Sequence, residues 1–323
     1  MSEELRPISV GVVGLGYWGP NLARNLAAIG GCELRWLCDS EARKREEQSQ
    51  AFPDARTTGD LEELLDDDEL DAVVLATPVP THAELAIGVA RAGKHCFVEK
   101  PLATTAADAE EAVAAAKRAG RILMVGHLLE YHPAVAKLKE LIDGDELGGL
   151  YYIYGNRLNL GVLREDENAL WSLGAHDVSV VLALIGEEPE ECLAHGASYV
   201  RPNVQDVVFC YLRFPSGIVA HLHLSWLDPH KERRLTVVGA QRMATFDDMA
   251  PDDKLTVYDK GFDDYTPRAG ESSSPRISNA EPLRLECEHF VQCIRDGSTP
   301  RSDGHSGLRV VRVLERLQHS LEG

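Results

Sequence analysis

A glycine-rich turn between a strand and a helix constrains this chain more than any other feature. The run Ile8–Val13 is apolar and β-branched and predicts a buried strand, and Asn21–Ile29 has the spacing of a helix. Between them the sequence reads Gly14-Leu15-Gly16-Tyr17-Trp18-Gly19. The first glycine permits a tight turn, the second lets the backbone approach a diphosphate, and the third allows close packing of the helix. The unit therefore predicts a dinucleotide whose diphosphate lies at the helix N-terminus.

An acidic residue follows at the position that such a unit uses for the ribose. The next predicted strand, Glu33–Cys38, ends at Asp39, twenty residues after Gly19. A carboxylate there would accept hydrogen bonds from the adenosine ribose and repel a 2′-phosphate, so the sequence predicts NAD rather than NADP. Two alternatives stay open, because Asp39 could instead cap the helix that begins near Ser40 and Arg43 could accommodate a 2′-phosphate.

Strands and helices then alternate as far as Gly126. Three further runs predict strands, at Asp71–Ala76, His95–Val98 and Ile122–Val125. Two helical stretches separate them, near Ala83–Ala92 and Ala106–Ala119. This alternation is typical of a parallel, doubly wound sheet. We therefore expect an α/β Rossmann domain over residues 1–126.

The pattern changes after Gly126, where predicted strands succeed one another with few helices between them. A helix near Pro133–Ile142 is followed by strands at Leu150–Leu158, Val204–Phe214, Ile218–Trp226, Arg234–Gly239 and Lys254–Tyr258. This order predicts an α+β domain over residues 127–323 with a large, mostly antiparallel open sheet. The segment Asp263–Asn279 is rich in Ser, Pro, Gly and charge and is predicted to be a loop, and Glu281–Ile294 and Gly307–Leu317 are predicted to be closing helices.

One strand of the second domain is predicted to need cover on both faces. The run Val207–Leu212 is continuously apolar, whereas a strand with one solvated face alternates apolar and polar residues. A helix over Leu170–Ile185 is expected to cover one face and a second subunit the other. The sequence therefore predicts a homodimer or homotetramer.

Charge and composition argue against several classes of partner and site. The chain has 33 Lys and Arg against 52 Asp and Glu, a formal net charge of −19, which disfavours nucleic acid and anionic membranes. No apolar run approaches the ~18 residues that cross a bilayer and no basic leader precedes the first strand, so we expect a cytoplasmic protein. The 7 cysteines are scattered and form no C-x-x-C pair, and His221 and His223 have no third ligand at a suitable spacing, so no metal is expected.

Two motifs lie at predicted strands of the first domain. They are Ala76-Thr77-Pro78 with His82, and Gly93-Lys94-His95-Cys96-Phe97-Val98-Glu99-Lys100-Pro101. Together with the later run LGGLYYIYGNR, they resemble the Gfo/Idh/MocA family, the glucose–fructose oxidoreductase and inositol dehydrogenase group. The resemblance implies that Lys100 is catalytic and that Pro101 follows a cis peptide. It also implies a group of cofactor-binding residues, Tyr17, Trp18, Thr77, Pro78, His82, Glu99 and Lys100.

The resemblance implies a second catalytic element, Asp-x-x-x-His, on a helix of the second domain. The sequence there reads Leu170-Trp171-Ser172-Leu173-Gly174-Ala175-His176-Asp177. His176 matches the family histidine and is expected to be catalytic, whereas Ser172 replaces the aspartate and removes part of the family's proton relay. Ser172 lies one helical turn before His176 and is expected to contact the substrate, and Asp177 points elsewhere and is expected to be structural.

Polar residues near the expected cleft are candidates for binding substrate. They are His127, Tyr131, Arg157, Asn159, Lys231 and Arg233. The segments GYWGPN, RLNLG and SWL-x-P-x-K-x-R resemble a bacterial subgroup, the 3-dehydrogenases of UDP-N-acetylglucosamine and of its uronate, in which Arg and Lys would hold a diphosphate or a carboxylate. The resemblance implies NAD-dependent oxidation at C3 of a nucleotide-linked sugar. A dehydrogenase of free sugar or inositol, and a non-catalytic NAD-binding regulator, remain as alternatives.

Overall fold

Residues 6–161, 163 and 167–322 are described by a computed structural model. Their contacts divide the chain into two units. The first runs to Leu128 and takes in Ala280–Val311, and the second comprises Leu129–Asn279 and the residues from Arg312 onward. The sequence predicted a boundary after Gly126 and a second domain that includes the C-terminal helices. In the structure, Ala280–Val311 belong to the first unit instead. No helix in the described part of the chain is long and apolar enough to span a bilayer.

The first unit is built on a six-stranded parallel sheet. Its strands are β1 (Ile8–Val13), β2 (Cys32–Cys38), β3 (Arg56–Thr58), β4 (Ala72–Leu75), β5 (His95–Glu99) and β6 (Leu123–Gly126). The helices between them are α1 (Gly19–Ala27), α2 (Ala42–Ala51), α3 (Leu61–Leu65), α4 (His82–Arg91) and α5 (Ala106–Ala119). Consecutive residues of β4 and β6 are all buried, so both faces of the sheet are covered. The predicted α/β Rossmann architecture is confirmed, while β3 and α3 were not foreseen.

The strand order of this sheet indicates the edge at which a ligand is expected to bind. The order is β3-β2-β1-β4-β5-β6, so the chain leaves β1 towards β2 on one side and returns to β4 on the other. In open α/β sheets ligands bind outside the carboxyl ends of the strands at such a reversal. The glycine turn after β1, Asp39 after β2 and Thr77 after β4 all lie at that edge.

The second unit contains an eight-stranded sheet. Its strands are β7 (Leu150–Leu160), β8 (Glu191–Ala197), β9 (Val207–Arg213), β10 (Val219–Ser225), β11 (Leu227–Gly239), β12 (Met243–Asp247), β13 (Leu255–Asp263) and β14 (Thr266–Ser273). The order is β14-β13-β12-β11-β7-β10-β9-β8, and its neighbours run antiparallel apart from the parallel pair β7 and β10. Two helices, α6 (Pro133–Asp143) and α7 (Ala175–Ile185), belong to this unit. The predicted α+β unit with a mostly antiparallel sheet is confirmed.

The prediction of a loop over Asp263–Asn279 was wrong for half of its length. Residues 266–273 form β14, which pairs with β13 in a hairpin, for example Phe262 with Pro267. Since β14 is an edge strand and mostly exposed, its Ser, Pro and Gly residues cost little there and carry no apolar alternation that sequence reasoning could detect.

The two faces of the second sheet differ. Val208, Cys210 and Leu212 of β9 are buried on the side where α7 packs, whereas Phe209, on the opposite side, keeps 44% of its surface exposed. His223 stacks on Phe209 with ring centroids 4.4 Å apart. The predicted cover therefore exists on one face within this chain, and the other face carries exposed aromatic rings.

The region after Asn279 explains why the first unit extends beyond its sheet. Helix α8 (Pro282–Asp296) places Phe290 edge-on against Phe97 of β5, with centroids 5.7 Å apart. The following segment leads into α9 (Gly304–Glu322), and there Ser302 Oγ donates to the Val125 carbonyl at 2.7 Å. These apolar and hydrogen-bonded contacts attach residues 280–311 to the parallel sheet.

Candidate active site

Two glycines of the first turn are required by the protein itself. Gly14 has φ +90°, and a Cβ there would lie 2.6 Å from the Ala76 carbonyl oxygen. A Cβ on Gly19 would overlap the Gly14 carbonyl oxygen. The predicted tight turn and close helix approach are thus seen as backbone contacts between β1, α1 and the residues after β4.

Gly16 differs, because no atom in the described part of the chain requires it to be glycine. A Cβ there would meet nothing within 4 Å in the described structure. Helix α1 begins nearby, and among the described residues its first turn has no acidic side chain and no side-chain cap. Backbone N–H groups at such a terminus suit a diphosphate. The residues present therefore fit the diphosphate of a dinucleotide, with Gly16 giving its backbone room to approach.

Aromatic residues complete this turn. Tyr17 is 82% exposed, and its ring meets Trp18 edge-on with centroids 5.5 Å apart. Their predicted contact with the cofactor remains a prediction.

Asp39 connects two loops at the sheet edge. Its Oδ2 accepts from the Leu15 N–H at 2.7 Å and its Oδ1 from the Glu41 N–H at 2.8 Å. Helix α2 begins at Ala42 with Glu41 as its N-cap, so Asp39 stabilises the approach to the helix instead of capping it. A carboxylate has about four acceptor positions, so these two bonds still leave acceptor capacity for ribose hydroxyls.

His82 joins the loop after β4 to the segment after β5. Its Nδ1 lies 2.8 Å from the Pro101 carbonyl oxygen and its Nε2 lies 2.8 Å from the Thr77 carbonyl oxygen. Burial lowers the pKa of His82 although both carbonyls favour the charged ring. Both ring nitrogens are engaged within the protein, so His82 positions Thr77 and Pro78 relative to Pro101.

Lys100 follows the carboxyl end of β5. Its peptide bond to Pro101 is cis, as predicted, and its backbone N–H donates to Glu99 Oε2 at 3.3 Å. Burial raises the pKa of Glu99 to about 7, against the opposing effect of the Lys100 charge. The Glu99 carboxyl is therefore poised to exchange a proton near neutral pH, beside the predicted catalytic amine.

Sequence reasoning missed Gly126, which faces this carboxyl from β6. Glu99 and Gly126 are paired in register, and a Cβ on Gly126 would lie 3.3 Å from Glu99 Oε2. A glycine at a strand end is a signal of close approach that could have identified it. The next residue, His127, is buried.

The second unit holds the other predicted catalytic residue. Residues Leu170–Gly174 form a π-helical turn that leads into α7, so the predicted helix over Leu170–Ile185 is present with an irregular first turn. Ser172 is buried in that turn, and His176 is half-buried as the second residue of α7. The π turn changes the spacing that a uniform α-helix would give these two side chains.

Two predicted substrate contacts, Arg157 and Arg233, pair with carboxylates of the second unit. Arg157 is buried and bonds Asp177, with Nε to Oδ2 at 2.5 Å and Nη2 to Oδ1 at 3.2 Å. Arg233 lies 3.3 Å from Asp248, whereas Lys231 is exposed. The expected structural role of Asp177 is explained by this pair, and Arg157 is committed to it.

The remaining candidates, Asn159 and Tyr131, are placed differently. Tyr131 is buried at the end of a short 3-10 turn. The Asn159 Oδ1 atom is buried and has no hydrogen-bond partner among residues 6–161, 163 and 167–322. A carbonyl oxygen in that state favours a hydroxyl or amide donor as its partner.

Comparison with known families covers both units. Residues 8–127 match the model of the Gfo/Idh/MocA oxidoreductase family, NAD-binding Rossmann fold. Residues 135–245 match the Gfo/Idh/MocA C-terminal domain.

Individual relatives span nearly the same length. The scyllo-inositol 2-dehydrogenase (NAD(+)) of Bacillus subtilis is 28% identical over 306 residues, covering 90% of this chain and 86% of that protein. The UDP-N-acetylglucosamine 3-dehydrogenase of Acidithiobacillus ferrooxidans is 27% identical over 319 residues, covering 97% and 96%. Its solved structure gives a TM-score of 0.87 at 26% identity, covering 98% of this chain and 99% of that one.

A further solved structure was determined with the cofactor. GenD2 from gentamicin A biosynthesis, in complex with NAD, gives a TM-score of 0.84 at 26% identity and covers 99% of this chain and 96% of that one. The glycine turn, Asp39 and the Glu99-Lys100-Pro101 segment all lie within residues 8–127, the part that matches the family's NAD-binding domain. The chain therefore belongs to the Gfo/Idh/MocA family of NAD-dependent oxidoreductases, with the family's NAD-binding Rossmann domain followed by its C-terminal domain.

Proposed function

We propose that this protein oxidises a ring hydroxyl, at C3 of a UDP-linked N-acetylamino sugar, to give a 3-keto sugar nucleotide. The position of Lys100 is the observation that supports this class of reaction. Lys100 follows β5 at the same sheet edge as the glycine turn and Asp39, and its neighbour Glu99 is a buried carboxyl with a pKa of about 7. NAD⁺ supplies the hydride acceptor.

Lys100 takes the proton of the reacting hydroxyl in this proposal. A neutral amine accepts the proton and becomes an ammonium, which then stabilises negative charge on the reacting oxygen. Glu99 lies where it can balance that new positive charge. His176 is assigned a second proton-transfer role on the family resemblance, without the family's aspartate, which Ser172 replaces.

The nucleotide-sugar substrate is supported by similarity and by basic side chains. The UDP-N-acetylglucosamine 3-dehydrogenase matches almost the full length of this chain in sequence and in structure. In the second unit Lys231 is an exposed cation and Arg233 is half-buried, in a protein of net charge −19. We assign these two residues to the diphosphate or to a uronate carboxylate, whereas Arg157 is engaged by Asp177.

A second candidate is oxidation of a free polyol. The 28% identity to a scyllo-inositol 2-dehydrogenase favours it. The two candidates share the role of Lys100 and differ in what Lys231 and Arg233 bind, so substrate comparison separates them.

The test is a turnover screen that follows NADH formation with UDP-N-acetylglucosamine, its uronate, glucose and inositols. We expect a sugar nucleotide to be the best substrate and its product to be lighter by two hydrogens. Lys100→Met should lower turnover on the order of 10²-fold or more while NAD binding persists, and His176→Ala should lower it by a similar or smaller factor. Lys117→Met, an exposed lysine of α5, is the matched control and should change neither.

Two results would reject parts of the proposal. A free polyol that turns over as well as any sugar nucleotide would replace the nucleotide-sugar assignment with the polyol one. If none of these compounds turns over although NAD binds, the result favours the alternative of a non-catalytic NAD-binding regulator.

A further inference from the structure

His127 is a buried histidine whose ring is unsatisfied. It follows β6 directly and is 1% exposed, and neither Nδ1 nor Nε2 has a hydrogen-bond partner among the described residues. Burying polar atoms without partners lowers the stability of the folded state. A leucine or phenylalanine would fill this space without that cost, so packing alone does not account for a histidine here.

The surroundings of His127 connect it to Lys100. Its neighbour Gly126 is in register with Glu99, and the Glu99 carboxyl lies over Gly126. Burial, followed by the nearby Lys100 charge, lowers the pKa of His127 to about 3. The ring is therefore neutral throughout the physiological range.

Other titratable groups beside Lys100 and Glu99 are His82 of α4, on which the Lys100 charge acts, and Cys287 of α8. Cys287 interacts electrostatically with Glu99 and with Glu286, and burial raises the pKa of its thiol well above the ordinary value. The thiol is thus uncharged, and the charge that acts on the His127 ring is that of Lys100. A neutral imidazole has one nitrogen that donates and one that accepts, and the accepting nitrogen of His127 has no donor within the described chain.

We propose that His127 is a positioning residue for Lys100: its free nitrogen lone pair accepts an N–H of the Lys100 ammonium formed when the substrate hydroxyl gives up its proton. The inference rests on the proposed role of Lys100 as the base. In this step the hydroxyl O–H bond breaks, a proton joins Lys100 Nζ, and one of the three ammonium N–H groups turns to His127. Glu99 supplies the opposite charge, and His127 sets the direction in which the Lys100 ammonium points.

The decisive variant is His127→Leu, which removes both ring nitrogens. We expect a higher melting temperature, because two unsatisfied atoms are gone, together with a lower pKa of Lys100, because its ammonium has lost an acceptor. The acid limb of the pH profile of kcat/KM should then move to lower pH and kcat should fall about ten-fold. His127→Gln and His127→Asn carry an amide oxygen as acceptor, and at least one of them should return the profile towards that of the unsubstituted protein.

A measurement that does not depend on enzyme turnover tests this inference separately from the proposed function. The pH midpoint for acetylation of Lys100, followed by peptide mass spectrometry on the NAD-free protein, should fall in His127→Leu. His95→Leu is the matched control, because His95 lies at the other end of β5 and its Nδ1 already accepts from the Ile122 N–H at 3.0 Å. It should lower the melting temperature and leave the Lys100 midpoint unchanged.

An unchanged Lys100 midpoint in the His127 variants would overturn the inference, whatever their melting temperatures. If His127→Leu does not fold, the midpoints of the amide variants decide, and a His127→Phe variant with an unshifted midpoint also counts against it. Failure of the proposed base role of Lys100 has a different signature, since Lys100→Met would then leave turnover unchanged while the labelling midpoint of the His127 variants still reports on His127.

Discussion

The two sheets of this protein make different surfaces available. The parallel sheet is buried on both faces, so its ligand-binding groups lie in the turns at its carboxyl edge. The mixed sheet is covered by α7 on one face and presents Phe209, Tyr152 and Tyr154 on the other. A sheet with both faces covered keeps only its edge for ligands, whereas a sheet with one open face can use that whole face for a partner.

The largest effect is expected on the covered face of the second sheet. Arg157→Met would leave the Asp177 carboxylate buried without its partner, which costs about 3–5 kcal/mol. Arg234→Met is the matched control, because Arg234 pairs with Asp247 at 2.9 Å with nearly half of its side chain exposed, and such pairs contribute about 0–1 kcal/mol. Urea unfolding of both variants measures the difference. Equal losses of unfolding free energy in the two variants would contradict the expected difference between the covered face and the open face.

A smaller loss is expected at the edge of the first sheet. Gly19→Ala forces a Cβ against the Gly14 carbonyl oxygen, and overpacking of this kind costs roughly 1–3 kcal/mol. The strain falls on the turn that is assigned to NAD. We therefore expect the loss of NAD binding free energy to exceed the loss of unfolding free energy. Gly30→Ala is the control, since a Cβ there would meet no atom of the described residues within 4 Å. Titration with NAD and thermal melting of both variants test this, and unchanged affinity in Gly19→Ala would contradict the assignment of the turn.

The same contrast explains how far the sequence could predict the molecule. Gly14 and Gly19 were readable because a tight turn and a close helix approach are local steric demands. Arg157 was expected to bind substrate, and only the fold reveals that Asp177 lies beside it. The bond between Asp39 and the Leu15 N–H joins residues 24 apart in sequence, so only the ribose role of Asp39, and not its support of the turn, could be foreseen.

Irregular elements were the least predictable. Strand β14 has no apolar alternation because it lies at an edge, and the π turn before α7 has no residue signature in Leu170–Gly174. Gly126 lies against a carboxyl on the neighbouring strand; its place at a strand end indicates a close approach but does not identify the group that approaches. What the sequence could not provide are pairings set by tertiary structure.

The open face of the second sheet should be a subunit interface. We expect light scattering to give a dimer or tetramer, and Phe209→Glu to weaken it, because an anchor residue contributes about 2 kcal/mol or more, roughly 30-fold in Kd. Tyr265→Glu is the control, since Tyr265 is 98% exposed at the turn between β13 and β14. A monomeric mass for the unsubstituted protein at micromolar concentration would contradict the interface.

The smallest effect concerns cofactor choice at Asp39. The unsubstituted protein should bind NAD(H) more tightly than NADP(H), because a 2′-phosphate would meet the carboxylate. Asp39→Ala should narrow that preference by about ten-fold, or about 1.4 kcal/mol, and it should also weaken both cofactors because the Leu15 and Glu41 N–H groups lose their acceptor.

Asp39→Asn separates these two consequences. The amide retains one acceptor oxygen for the turn but carries no charge to repel a phosphate, so the preference should narrow while NAD affinity falls less than in Asp39→Ala. Lys44, whose Nζ lies 3.8 Å from Asp39 Oδ2, and exposed Arg43 would then attract the 2′-phosphate. If the unsubstituted protein binds NADP(H) as tightly as NAD(H), Asp39 serves the turn alone, and the edge of the first sheet distinguishes the two cofactors by other groups or not at all.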